Sequence, residues 1–247
     1  MRAIPQASCS SNNNSDNIKG IVYYGNSPST PTTTGYSYTD NCNDEDASNL
    51  VPYLSNTVSN AYYNANENVS VAYNSDNLFR WYLNNSTMIV DRGNPTLLQV
   101  YNGDMSFSNS SNVITLPQNQ WSYIVIETSD DVTHPIHLHG HDFYILAQGN
   151  GTYNSSDIST LVNPPRRDTA MLPATGYLVL AFQSNNPGAW LMHCHIGWHV
   201  SEGLALQFVE QYSKISSLID YSTLNSTCSA WNTYASQNSL TDDTSGV

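Results

Sequence analysis

All seven histidines of this 247-residue chain lie in two short runs. The first run is HPIHLHGH, residues 134–141, and the second is HCHIGWHVSEGL, residues 193–204, which also holds Cys194. Imidazole and thiolate groups are ligands that proteins use for copper, zinc and iron. Confinement of every histidine to two runs therefore predicts metal binding, because scattered structural histidines would not be restricted in this way.

Cys194 stands between two histidines in a segment that is apolar enough to be the end of a β-strand. Successive side chains of a strand point to opposite faces. Cys194 is then expected to face one way, and His193 and His195 the other. One backbone segment can therefore serve two metal sites, with the thiolate at one and both imidazoles at the other.

The thiolate site can be completed by residues close in sequence and by one from the first run. His199 follows Cys194 by five positions, and His134 offers a second imidazole. Two His and one Cys in a plane, with a weak axial position, form the blue-copper arrangement. Leu204 is the axial candidate and cannot ligate. Without an axial thioether Cu(I) is favoured, so we expect a higher reduction potential than with Met.

The remaining imidazoles predict a second site. His137 and His139 share one face of an extended segment and can join His193 and His195. Imidazole suits copper, zinc and iron alike. The cysteine makes copper the preferred ion, while zinc stays open as an alternative for the whole set. No role is left for His141, which is interpreted as a structural hydrogen-bonding residue.

The overall charge argues against nucleic acid and anionic membranes as binding partners. The chain has 20 Asp and Glu against 7 Lys and Arg, for a formal net charge of -13. Such a surface repels nucleic acid and anionic membranes, so neither is an expected partner. No apolar run of membrane-spanning length occurs in the sequence.

Asparagine sequons and the amino terminus point to a secreted, extracellular protein. The sequons Asn-x-Ser/Thr occur at Asn13, Asn68, Asn84, Asn85, Asn109, Asn150, Asn154 and Asn225. The scarcity of lysine agrees with secretion. MRAIPQASCSS lacks the apolar core of a signal peptide. Met1 is therefore interpreted as an internal methionine of a longer protein.

The other three cysteines suggest one disulfide. Cys9 and Cys42 flank a Ser/Thr/Pro-rich stretch and can close it as a local loop. Cys228 then has no partner within the chain, which we attribute to a partner in a missing N-terminal domain. Buried free thiols remain the alternative, since free cysteine is often buried.

The elements that position these residues are predicted to be short strands joined by turns. Before residue 46 one such strand is Gly20–Tyr24, and polar residues 46–76 are interpreted as a linker. The later strands are predicted at Thr87–Val90, Leu97–Tyr101, Val113–Leu116, Ser122–Glu127, Phe143–Ala147, Tyr177–Phe182 and Leu204–Val209. Short strands at this spacing are typical of an all-β sandwich or barrel with Greek-key connections. Short helices are expected at Ser213–Tyr221 and Ser226–Ser236.

Three long segments resemble the multicopper oxidases, most closely the laccases of filamentous ascomycete fungi. They are HPIHLHGHDFYILAQG, NPPRRDTAMLPATGYLVLAF and NPGAWLMHCHIGWHVSEGLALQFVE. The resemblance implies a cupredoxin-like fold. It assigns residues 1–45 to the end of a second cupredoxin domain, 46–76 to a linker, 77–212 to the third domain, and 213–247 to a helical segment and tail.

The resemblance also assigns the metal ligands to two copper centres. The type 1 centre takes His134, Cys194 and His199, with Leu204 at the axial position. The trinuclear centre takes His137 for type 2 copper, and His139, His193 and His195 for the type 3 pair. His199 matches the histidine that receives the electron from the reducing substrate. Such enzymes oxidise phenols one electron at a time and reduce O2 to water.

One departure from this family concerns the trinuclear centre. The family also uses four histidines from N-terminal motifs H-W-H-G and H-x-H, and no histidine of this chain lies outside its two runs. We therefore expect a C-terminal fragment whose type 2 and type 3 coppers need missing N-terminal cupredoxin domains, and which alone lacks full activity. The alternatives are a ferroxidase-type multicopper oxidase, a non-enzymatic blue-copper electron carrier, or an inert truncated product.

The end of the chain is a second departure. Ascomycete laccases often end in D-S-G and an apolar residue, which plugs the cluster's solvent channel. Here the chain ends Asp243-Thr244-Ser245-Gly246-Val247. Because this ending is one residue out of the pattern, no plugging role is assigned to it.

Overall fold

The computed structural model describes residues 4–9, 11, 13, 18–35, 37, 39–40 and 42–240. The chain divides into two compact units, Met1–Asp46 and Ala47–Val247. The end predicted for the first domain segment, residue 45, is one residue before the end of the first unit. The predicted tail beyond residue 240 lies outside the described residues.

A disulfide characterises the first unit. Cys9 and Cys42 are bonded, with their Cα atoms 5.7 Å apart, so the predicted pairing is confirmed. The predicted strand Gly20–Tyr24 is wrong, because these residues have no regular structure and are all exposed. Their apolar side chains bury nothing, and burial is what an apolar strand pattern needs.

The second unit is a sandwich of two β-sheets, which confirms the all-β prediction. The six-stranded sheet has the order β2-β1-β4-β9-β6-β7, and the five-stranded sheet has the order β3-β11-β10-β5-β8. Its strands are β1 Tyr63–Tyr73, β2 Phe79–Leu83, β3 Val113–Thr115, β4 Trp121–Thr128, β5 His134–Leu138, β6 Phe143–Asn150, β7 Arg166–Arg167, β8 Thr169–Leu172, β9 Gly176–Gln183, β10 Gly188–Cys194 and β11 Ala205–Glu210. The pairs β1–β4 and β11–β3 are parallel, and the other pairs are antiparallel.

The core fills the space between the two sheets. Ile124 of β4 and Leu180 of β9 come from one sheet, and Leu138 of β5 and Phe208 of β11 from the other, each with no measurable exposure. Cys194 belongs to the same buried cluster. Burial of these side chains is the main favourable contribution to folding, and it fixes the strands that carry the metal-ligating residues.

Two of the seven predicted later strands are wrong, and the other five are confirmed. Residues Thr96–Tyr101 form helix α1, and Thr87–Val90 form no strand. A short apolar run such as TLLQVY suits a helix or a buried strand equally well. Here Pro95 at the helix start favours the helix, because proline is tolerated there and cannot donate to a sheet.

The predicted linker also needs correction. Residues Tyr63–Tyr73, inside the segment 46–76, form β1, which pairs with β2 on one side and β4 on the other. The alternation along β1 puts Val69 and Glu67 inward and Asn and Ser outward. These outward polar residues gave the segment its linker-like composition and hid a strand that is half buried.

Three further α-helices lie in the described part of this unit. Helix α2 is Gly197–Ser201, α3 is Tyr212–Ile215 and α4 is Tyr221–Asn238. The predicted helix Ser226–Ser236 lies within α4, whereas only part of Ser213–Tyr221 is helical. Within the described residues, no helix combines the length and apolar character that crossing a bilayer requires.

Candidate metal centres

Two antiparallel strands of the five-stranded sheet carry most of the predicted ligands. In the register of β5 and β10, His193 lies opposite His137, and Cys194 lies opposite Ile136. Cys194 is fully buried, while His193 is only partly buried. The alternation of a strand thus separates the thiolate from the neighbouring imidazole, as the sequence predicted.

Three predicted ligands converge on the buried side of the sheet. Nδ1 of His134 lies 3.1 Å from Nδ1 of His199. Sγ of Cys194 lies 3.7 Å from Nδ1 of His134 and 3.5 Å from Nδ1 of His199. The three donor atoms fall within 4.8 Å of one another, and His134 and Cys194 have no exposed surface. This set matches the composition of a type 1 copper site.

Helix α2 brings His199 back to this group and fixes Leu204 beside it. Leu204 N donates to the carbonyl of His199 at 2.9 Å, and Cys194 N donates to the carbonyl of Leu204 at 3.1 Å. Leu204 is 1% exposed and lines a small cavity together with Cys194. The residue predicted to be axial therefore offers only apolar surface next to the thiolate.

Burial favours the uncharged form of each of these three side chains: the neutral imidazole and the protonated thiol. Burial, together with the nearby charge of His199, lowers the pKa of His134 to about 4. Burial also lowers the pKa of His199. Burial raises the pKa of the Cys194 thiol to about 11, partly opposed by a backbone hydrogen bond from Ile196. Both imidazoles are thus neutral and able to ligate, whereas the thiol must lose its proton when a metal binds.

Trp81 of β2 also belongs to this centre, although the sequence analysis missed it. Its ring lies 4.9 Å from the ring of His134 in an edge-on arrangement, and 4.4 Å from the ring of His199 at an angle of 33°. Trp81 is buried. No sequence signal pointed to it, because its position results from the packing of β2 against β5 and α2.

The other four predicted ligands form a second group on the outer face. Nε2 of His139 lies 3.1 Å from Nε2 of His193. The ring centroid of His137 lies 4.7 Å from that of His139, 5.7 Å from that of His193 and 5.8 Å from that of His195. The His193 and His195 rings are 5.5 Å apart. The structure therefore brings together all four histidines that the sequence assigned to the second site.

Neighbouring oxygens orient two of these rings. Nδ1 of His137 lies 2.7 Å from the carbonyl oxygen of Asp168 and 3.2 Å from Oγ1 of Thr169. Nδ1 of His193 lies 2.9 Å from the carbonyl oxygen of Cys194. When Nδ1 donates to these oxygens, Nε2 is left free to ligate, which is the usual way in which proteins orient metal-binding imidazoles. Burial lowers the pKa of His193 and of His139. The charges of neighbouring histidines lower both pKa values further, by a smaller amount.

His141 lies apart from both groups, in agreement with its predicted structural role. Its Nε2 is 2.7 Å from Oε1 of Glu210, a carboxylate with no exposed surface. The second oxygen of Glu210 accepts a hydrogen bond from Asn186 N at 3.2 Å. The His141 ring packs against Phe182 at 5.0 Å. This contact holds the loop after β5 to β11.

The buried group fits a copper ion on its own geometry. Two imidazole nitrogens and a thiol sulfur converge here from three different elements, β5, β10 and α2. Nε2 of His134 is buried and has no hydrogen-bond partner among the described residues. The donor atoms of these three residues lie within 4.8 Å of one another, and a Cys-plus-two-His set favours copper over harder ions.

Comparison with known proteins places this geometry in context. Residues 89–214, just over half of the chain, match the family described as multicopper oxidase. Laccase-2 of Botryotinia fuckeliana is 42% identical over 250 residues, which cover 97% of this chain and 42% of that protein. The chain thus spans less than half the length of this curated relative.

Solved structures agree with this result. The crystal structure of a laccase from Botrytis aclada has a TM-score of 0.78 and 42% identity, covering 98% of this chain and 46% of the other. Fet3p, a multicopper oxidase that functions in iron import, has a TM-score of 0.69 and 25% identity, covering 83% of this chain and 42% of the other. The cupredoxin-like fold expected from the sequence is thereby confirmed.

Proposed function

The chain belongs to the multicopper oxidase family, and we propose that it forms the C-terminal part of a laccase-like oxidase that oxidises phenolic donors and reduces O2 to water. The observation that carries this proposal is the strand β10. Its Cys194 joins His134 and His199 in the core, and its His193 joins the four-histidine group outside. Adjacent residues thereby connect a site suited to one-electron transfer with a site suited to several coppers.

In this proposal the buried group holds type 1 copper, which when bound supplies one-electron oxidation. His134, Cys194 and His199 would hold the ion, and Leu204 would place an apolar side chain beside Cys194 without ligating. Complete burial of Cys194 and His134 excludes water from the thiolate. His199 is the part of the group that is nearest to solvent, being only partly buried. His199 is therefore the residue through which a phenolic donor passes its electron.

The outer group is proposed to hold half of a trinuclear copper centre. His137 serves type 2 copper, and His139, His193 and His195 serve the type 3 pair. His139 and His195 are exposed, which suits a surface completed by histidines from N-terminal cupredoxin domains of the same protein. Those domains are the proposed partner, and the 247-residue chain alone is proposed to lack full activity.

We also propose that the protein is secreted and glycosylated. All eight sequon asparagines named above are exposed in the structure. The disulfide between Cys9 and Cys42 suits an oxidising compartment. Expression with a secretion leader in a glycosylating host, followed by peptide-N-glycosidase treatment and mass analysis, tests this proposal.

The experiment that tests the oxidase function compares the complete reading frame with its Cys194→Ser variant. The reading frame upstream of residue 1 should encode H-W-H-G and H-x-H motifs. The complete protein should consume O2 with a phenolic donor, and Cys194→Ser should abolish both the blue absorption and O2 uptake. A complete protein without these motifs, or one that turns over normally with Ser at position 194, would overturn the proposal.

A ferroxidase is the second candidate, supported by the structural similarity to Fet3p. The two functions differ in the preferred donor. Comparing kcat/KM for Fe(II) with kcat/KM for a simple phenol on the same complete protein separates them. Strong preference for Fe(II) would favour the ferroxidase, and strong preference for the phenol would favour the laccase.

A further inference from the structure

A row of aromatic rings leads from the protein surface to the buried thiolate group. We propose that Tyr73 is a second electron-uptake site, connected through Phe79 and Trp81 to His199, for bulky or polymer-bound phenolic donors. This inference rests on the proposed oxidase function, because it uses the copper ion at His199 as the oxidant. The proposed path ends at the ligand His199, but it begins at Tyr73, away from the donor contact proposed at His199 itself.

The row is built by the hairpin of β1 and β2. Tyr73 ends β1 and lies directly opposite Phe79, the first residue of β2. Phe79 and Trp81 are two positions apart, so they share one face of the strand. Their ring centroids are close at each step: 5.6 Å from Tyr73 to Phe79, 6.3 Å from Phe79 to Trp81, and 4.4 Å from Trp81 to His199.

The exposure of the three rings decreases from Tyr73 to Trp81, as a path for electrons from solvent to a buried site requires. Tyr73 is 67% exposed, Phe79 is 44% exposed and Trp81 is 5% exposed. A donor in solution can therefore touch the first ring, while the last ring is shielded from water and packs on a ligand. Cross-strand aromatic pairs also stabilise hairpins without any redox role, and only an electron-transfer measurement distinguishes these two roles.

One uptake cycle oxidises one donor molecule by one electron and restores Tyr73. Tyr73 loses one electron along the rings to the cupric ion, which becomes cuprous, and loses its phenolic proton to water. An external phenol then gives a hydrogen atom to the Tyr73 phenoxyl radical. Tyr73 is restored, and the donor leaves as a phenoxyl radical. Phe79 only bridges the two oxidisable rings, and its own ring is not oxidised. A donor that cannot enter a cleft at His199 can react at this exposed ring.

The first test maps the radical directly. The copper-loaded chain is incubated with a nitroso spin trap and no reducing donor, and adducts are located by peptide mass spectrometry. The matched internal controls are Tyr53 and Tyr62, which are 100% and 70% exposed and so are more accessible than Tyr73. The proposal expects adducts at Tyr73 in clear excess over these two. Adducts distributed according to exposure would overturn it.

The second test follows the blue absorption by stopped flow. Phe79→Leu keeps an apolar side chain of similar size at a half-exposed position, and Tyr73→Phe removes only the phenolic hydroxyl. Both variants should reduce the rate of bleaching by a polymer-bound phenol several-fold and leave bleaching by a small phenol unchanged. Equal rates in wild type and both variants would refute the path. A chain that forms no blue site would instead refute the proposed oxidase function and this inference with it.

Discussion

Cys194 and His193 are neighbours in sequence, yet their side chains serve opposite faces of one strand. Sγ of Cys194 lies in the core within 3.7 Å of two imidazole nitrogens, and Nε2 of His193 lies 3.1 Å from His139 on the outer face. The covalent link between the two groups is therefore a single peptide unit. A shift of β10 by one residue would exchange the two side chains and destroy both groups at once.

The axial position can be tested by adding a ligand. Leu204→Met places a thioether beside Cys194, which should stabilise Cu(II) and lower the reduction potential of the type 1 site. The change conserves volume, so it should cost less than about 1.5 kcal/mol of stability. Redox titration of the blue absorption in the copper-loaded protein measures the effect.

A control for this substitution lies on the opposite sheet. Leu180→Met makes the same exchange at a fully buried position of β9, and the potential should stay unchanged. An unchanged or higher potential in Leu204→Met would show that Leu204 is not the axial residue.

The contact between His141 and Glu210 should matter for stability rather than for copper. His141→Ala leaves the buried Glu210 carboxylate without this hydrogen bond, at a cost of about 1–3 kcal/mol. His141→Gln can still donate a hydrogen bond and should cost clearly less. Urea unfolding of the two variants measures both effects, while their blue absorption should match that of the wild type. Stability losses below about 0.5 kcal/mol in both variants would contradict a structural role.

Glu67 should make stability depend on pH. Burial raises the pKa of this carboxyl from 4.5 to about 7. Asn84 Nδ2 donates to it at 2.9 Å, and Tyr63 is a titratable neighbour. Between pH 4.5 and 7 the unfolded chain releases this proton while the folded chain keeps it, so the contribution of Glu67 to the free energy of unfolding falls as pH rises. The loss from this group is roughly 3 kcal/mol, and the histidines with lowered pKa values contribute in the opposite direction.

Glu67→Gln should remove most of this slope, because glutamine does not titrate. Asp131→Asn, which changes an exposed carboxylate, serves as the control and should leave the slope unchanged. Urea unfolding at several pH values between 4.5 and 7.5 gives the comparison. A Glu67→Gln variant whose stability changes with pH in the same way as that of the wild type would show that Glu67 is ionised in the folded state.

The two groups of side chains could be predicted from the sequence because strand alternation acts between adjacent residues. In an extended HCH or HLH segment the two histidines lie on one face and the residue between them lies on the other, whatever the rest of the fold is. The strand β1 was missed because its outward Asn and Ser residues resemble a linker. Helix α1 was mistaken for a strand because six residues are too few to show a helical period.

Trp81 shows what local patterns cannot supply. Its contacts with His134 and His199 join residues more than 50 positions apart, and nothing around Trp81 in sequence encodes them. The same holds for the ring row from Tyr73, which depends on the register of β1 and β2. Such relationships follow from tertiary packing, so only the structure reveals them.

The most direct test of the account is to load the purified 247-residue chain with copper, count the bound ions, and record the blue absorption and O2 uptake with a phenolic donor. The donor atoms of His134, Cys194 and His199 lie in one unit, so we predict close to one tightly bound copper and a blue band that Cys194→Ser abolishes. Because His137, His139, His193 and His195 supply only part of the second centre, we predict no sustained O2 uptake. A colourless chain, a blue Cys194→Ser variant, or sustained O2 consumption by this chain alone would contradict the account.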